Sequence, residues 1–93
     1  MADARSGVTT VTTAGTAVVL GSQDIRGFIA ISATDGNTGV MYLGEDGAGD
    51  VTSANGYELK AGNQLVVYVE NLNNMMVDSA ENGDSVTWLK LGF

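Results

Sequence analysis

The side chains in this sequence that could carry chemistry are carboxylates. Glu45, Asp46 and Asp50 fall in one glycine-rich stretch, GEDGAGD (44–50), while Asp78, Glu81 and Asp84 lie in or beside a second turn, ENGD (81–84). Paired carboxylates can hydrolyse a glycosidic bond when a cleft fixes their separation and raises the pKa of one. A chain of 93 residues has little room for such a cleft beside its core. Oxygen-only ligands also suit calcium, yet DGAGD sets Gly and Ala where an EF-hand loop has ligands. An irregular calcium site on these loops stays open. His and Cys are both absent, which removes Ser-His-Asp and Cys-His nucleophiles, thiolate chemistry and imidazole-held zinc or iron. GEDGAGD is not a P-loop, because it lacks the Gly-Lys-Ser/Thr ending and is acidic where phosphate would sit. The expectation is a protein that is not an enzyme and uses no cofactor or metal, with acidic turns that keep its surface soluble.

Charge narrows the partners. Eleven Asp and Glu against four Lys and Arg give a net charge of −7, and no two of Arg5, Arg26, Lys60 and Lys90 are adjacent. Binding a phosphate backbone needs clustered cations, so nucleic acid is excluded as a partner, and an anionic membrane is disfavoured on the same ground. The opening MADARSGVTT has no apolar core of a secretory signal, and the longest strongly apolar run, AVVL (17–20), is too short to span a bilayer. The expected site of synthesis is a cytoplasm.

The elements that must position these residues are strands. Short apolar runs alternate with turn signals: TAVVL (16–20), IRGFIAIS (25–32), VMYLG (40–44), the end of VTSANGYEL (51–59), QLVVYVE (64–70), MMVDSA (75–80) and SVTWLKLGF (85–93). DGNTG (35–39), KAGN (60–63), NLNN (71–74) and ENGD (81–84) separate them with residues that tolerate turn geometry. No window sustains a 3.6-residue period among good helix formers. Seven or eight short antiparallel strands spaced this way predict an all-β, single-domain β-sandwich or jelly roll over residues 17–93. Residues 1–16, MADARSGVTTVTTAGT, carry only Val8 and Val11 as sizeable apolar side chains. They read as an extended N-terminal arm that orders against a neighbour or frays.

Two features point to assembly. LVVYV (65–69), VMYL (40–43) and WLKL (88–91) are apolar on both faces, where a two-layer sandwich needs only one. The chain also has no Pro and two Lys, the residues that commonly blunt a sheet edge. In LVVYV the period-two set Leu65, Val67 and Val69 is assigned to the core, leaving Val66 and Tyr68 to face another subunit. Trp88 most simply packs inside. Exposed tyrosines offer a different use, a glycan-binding β-sandwich in which Tyr42 and Tyr57 stack on sugar.

DGNTGVMYLGEDG, VTSANGYELKAGNQLVVYVENL and MMVDSAENGDSVTWLKLGF together resemble small tailed-bacteriophage virion proteins of the capsid decoration, or cement, type. Asn37, Thr38, Gly39, Tyr42 and Gly44 fit the first element of that pattern. Gly56, Leu59 and Gly62 fit the second, and Val77, Asp78, Gly83, Asp84, Val86 and Trp88 the last. The resemblance spans residues 25–91 and implies a β-sandwich or jelly-roll structural protein, often trimeric, on the outer face of the major capsid protein in the virion. It brings no catalytic residues and no cofactor. Other virion parts, a head fibre or tail component, fit the same pattern. Because the resemblance stops short of the N-terminus, capsid contact by Val8, Thr9, Thr10 and Val11 follows from composition alone.

Overall fold

The computed structural model describes residues 5–45, 47 and 49–91. Asp46 of the first acidic stretch and Phe93, the end of the closing strand expected over 85–93, lie outside the described residues. Eight strands form: β1 (Ser6–Thr10), β2 (Val18–Val19), β3 (Asp24–Ala33), β4 (Met41–Gly44), β5 (Tyr57–Leu59), β6 (Gln64–Asn71), β7 (Met76–Ser79) and β8 (Ser85–Leu91). A three-residue 3-10 turn, Leu72–Asn74, joins β6 to β7. Its NLNN sequence closes on itself: Asn73 N–H donates to the Asn71 side chain at 3.0 Å, and Asn71 N–H to the Asn74 side chain at 3.1 Å.

The strands make two antiparallel four-stranded sheets, β1-β8-β3-β6 and β2-β7-β4-β5. This is a β-sandwich, and its pairing is nested. β1 pairs with β8, β2 with β7, β3 with β6 and β4 with β5, while the β3–β8 and β4–β7 pairs complete the sheets. A long antiparallel ribbon folded over on itself in this order is a jelly roll. Alternation then builds the core. Ile29, Ile31 and Ala33 of β3 meet Met41 and Leu43 of β4, Val77 of β7 and Val86 of β8 in one buried cluster that includes Trp88. As the alternation in LVVYV requires, Val69 is buried and Leu65 and Val67 pack against the same cluster from the edge.

The N-terminal segment departs from the expected arm. Residues 6–10 are a strand of the sandwich, paired with β8 from Ser6–Leu89 to Thr10–Ser85, so the division at 16/17 does not separate an arm from a domain. Val11 is fully buried in the core, and its backbone exchanges bonds with Gly83 and Asp84 at 2.8 and 2.9 Å. It therefore cannot touch a capsid from the folded chain. Gly7 sits under Trp88: a Cβ there would come within 2.8 Å of the indole. The ring covers the gap that an edge glycine leaves.

The acidic turns hold the ribbon in register. Asp84, buried with 6% of its surface exposed, accepts from Thr38 N–H at 3.1 Å and Gly39 N–H at 2.8 Å. Next to it, Asn37 donates to the Ser85 carbonyl at 2.8 Å and accepts from Ser85 N–H at 2.9 Å. The Asn37–Thr38–Gly39 and Gly83–Asp84 motif residues are thus one lock between the β3–β4 loop and the β7–β8 turn. Asp78 works the same way, accepting from Gly15 N–H at 2.9 Å. Replacing Asp84 by Ala leaves the partly buried Thr38 and Gly39 amides without this acceptor and is expected to cost about 2 kcal/mol in urea denaturation. Glu58→Ala on the exposed face of β5 should stay within about 0.5 kcal/mol; equal losses would contradict the lock.

Candidate functional site

Sheet β1-β8-β3-β6 has an inner face that fills the core and an outer face that no other part of the described chain covers with a strand. Register fixes which side chains share that outer face. Phe28 lies opposite Tyr68 on one side and Leu91 on the other, Ala30 opposite Val66 and Leu89, and Ser32 opposite Gln64 and Thr87. β1 adds Ser6 opposite Leu89 and Val8 opposite Thr87. Six large apolar side chains therefore stand out from one surface: Val8 at 66% exposure, Phe28 at 54%, Val66 at 52%, Tyr68 at 51%, Leu89 at 41% and Leu91 at 37%. A soluble monomer rarely shows this much apolar surface in one patch, and such patches mark interaction sites. Small Ala30 and Ser32 form the floor of a depression of about 430 Å³, with Val8, Leu89 and Gln64 on its walls.

One end of the face is ordered by aromatic and charged groups. The Phe28 and Tyr68 rings meet edge to face, with centroids 5.5 Å apart at 80°. Such a pair holds a rigid anchor, since the positive edge of one ring meets the negative face of the other. The Tyr68 hydroxyl donates to Glu70 at 3.1 Å. That bond holds the phenol above the ordinary tyrosine value, aided by a little desolvation and by the Glu70 charge, while Arg26 pulls the other way. Arg26 lies in a bulge between Asp24 and Gly27. It has φ +49°, the one described non-glycine residue at positive φ, and its guanidinium contacts Asp24 at 3.3 Å.

The outer face of the opposite sheet is different. Tyr42, Glu58 and Asp78 share it by register, and the turn at Gly15 closes over Asp78. Tyr57 pairs with Leu43, one step out of phase with Tyr42. The two tyrosines thus lie on opposite faces and make no joint platform for a sugar.

The sequence-derived site residues separate accordingly. Val66, Tyr68 and Val8 stand on the apolar face, and Thr10 is exposed at the end of β1. Thr9 points inward and its hydroxyl donates to the Leu20 carbonyl, and Val11 is core. The face also holds Phe28, Leu89 and Leu91, which the sequence reading had not assigned to it; their signal is the even-numbered and odd-numbered alternation of β3 and β8. Among the carboxylates, Asp78 and Asp84 are spent on loop amides, and Glu45 accepts from Gly47 and Gly49 within its own loop. No three carboxylates among the described residues are grouped to hold a metal ion, and no described helix is long and apolar enough to cross a membrane. Comparison with protein-family models, with curated proteins and with solved structures finds no match.

Glu70→Gln should bring the Tyr68 phenol back down towards the ordinary value, read by near-ultraviolet difference absorbance against Tyr68→Phe. The sign for stability follows from the raised value: the contribution is complete below the ordinary tyrosine range near pH 10 and lost as pH rises through the higher folded value. A titration unchanged by Glu70→Gln would contradict the assignment.

Proposed function

We propose that this protein is a bacteriophage capsid decoration protein, which self-associates and binds the outer surface of the major capsid protein to stabilise the head. The observation that carries the reading is the outer face of β1-β8-β3-β6, where six large apolar side chains stand exposed. The resemblance of residues 25–91 to virion proteins gives that face its partner. A jelly roll is a fold used in viral shells, although fold alone does not select a function.

The mechanism needs no chemistry. Each copy lays the apolar face across neighbouring capsid subunits, and desolvation of Val8, Phe28, Leu89 and Leu91 supplies affinity. Repetition over many equivalent sites turns a modest contact into a cage that resists internal pressure. The net charge of −7 keeps decorated heads apart. The resemblance implies a trimer, on the exterior of the virion, assembled in the host cytoplasm.

Sedimentation with undecorated tailed-phage heads tests this. Wild-type protein should pellet with the heads, and Val8→Glu and Leu89→Glu, both at exposed positions, should weaken binding at least tenfold with unchanged circular dichroism. Failure of wild-type protein to bind, or full binding by both variants, would overturn the reading.

A further inference from the structure

β6 is the end strand of its sheet, eight residues long, with β3 on one side and no strand on the other. It has neither Pro nor Lys, and Glu70 is its single charge. A free edge of this kind is a template for another strand. The hydrogen-bond phase at that edge can be read directly. Ala33 N–H donates to the Asn63 carbonyl at 3.0 Å, so along the β3–β6 register the odd-numbered residues Leu65, Val67 and Val69 exchange bonds with β3. The N–H and C=O groups of Gln64, Val66, Tyr68 and Glu70 therefore turn to the free edge.

From this we infer that β6 pairs with β6 of a second copy, antiparallel, about a two-fold axis through Val67. The inference rests on the self-associating half of the proposed function and replaces the trimer with a dimer. In this register Val66 exchanges both backbone bonds with Tyr68 of the second copy, and Gln64 does so with Glu70 of the second copy. The outer face then sets Val66 beside the second copy's Tyr68. On the inner face, Val67 meets its own mate and Leu65 meets Val69, which covers the two core residues, Leu65 and Val67, that the monomer leaves only partly buried.

Other registers fail on the same chemistry. Moving the axis to Tyr68 puts Val66 opposite Glu70, an apolar side chain against a carboxylate. Moving it to Val66 puts Glu70 opposite Gly62, and moving it to Leu65 puts Tyr68 opposite Gly62, in each case beyond the strand. A shift of one residue in the pairing sets outer-face positions against inner-face ones. Charge does not oppose a second copy along this edge. Two chains of net charge −7 repel, yet along this edge each Glu70 faces a neutral Gln64 and the two Glu70 residues sit at opposite ends. β1, the other end strand, is a poorer mate: it has five residues, Gly7 lies under Trp88 and the Thr9 hydroxyl is bonded to Leu20. An isologous pair uses the β6 edge of both copies and so closes that edge on itself. It also joins two apolar faces into one platform of eight strands.

The chain has no cysteine, so one substitution reports the register. In an antiparallel pair that does not exchange bonds, facing Cα atoms lie about 4.5 Å apart, within disulfide range. Val67→Cys should cross-link to a dimer under mild oxidation. Val66→Pro removes an N–H at the free edge without taking a bond from β3, and should give a folded monomer by circular dichroism and light scattering. Wild-type protein should have twice the 9.6 kDa chain mass. A wild-type monomer or trimer, a dimer in which Val67→Cys stays unlinked, or a Val66→Pro protein that remains dimeric would each overturn the pairing. Should Val66→Pro unfold, the wild-type mass and the Val67→Cys link decide. A dimer that ignores phage heads supports this pairing and sinks only the capsid reading; a monomer that coats heads does the reverse.

Discussion

The structure depends on the alternation of side chains along β3, which lies between β6 and β8. Its odd positions, Ile29 and Ile31, are fully buried and carry the centre of the core. Its even positions, Phe28 and Ala30, are forced by the same pleat onto the other side of the sheet. Because β6 pairs with β3 from Asp24 to Ser32 and β8 from Phe28 to Ala33, their own alternation is set by it. A register slip of one residue would turn Ile29 and Ile31 to solvent and Phe28 to the core. The apolar outer face is therefore a property of the fold's central strand and not of a few stray residues.

Holding that register falls to the polar turns. The nested pairing of a jelly roll brings together strands far apart in sequence, so local turns alone cannot fix it. Asp84 with Thr38 and Gly39, and Asp78 with Gly15, join residues 46, 45 and 63 positions apart. Buried carboxylates repay their desolvation only when amides satisfy them, and here both are satisfied. Asn37, Thr38, Gly39, Asp78 and Asp84, five of the motif residues singled out in the sequence, are thus parts of the structure that hold strand order. The exposed apolar face is built from strand apolars that no motif marks.

Much of the fold was legible from the sequence, and the reasons are local. Turns rich in Gly, Asn and Asp bounded β3, β4, β6, β7 and β8, and the period of LVVYV divided Leu65, Val67 and Val69 from Val66 and Tyr68. What was not legible depends on distant partners. β1 has too little apolar surface to announce itself, and its strand-mate β8 lies at the other end of the chain. Val11 looked exposed because nothing near it in sequence explains its burial. Asp78 and Asp84 looked like solvated turn carboxylates for the same reason. The bulge at Arg26 left no trace, since positive φ usually falls to Gly or Asn and here falls to Arg.

Cryo-electron microscopy of phage heads decorated with this protein tests the central claim most directly. The account predicts density with sheet β1-β8-β3-β6 laid against the shell, Phe28 and Leu89 at the contact, and the β6 edges of two copies joined. Density in which that sheet faces solvent while the β2-β7-β4-β5 sheet or the acidic loops meet the capsid would contradict it.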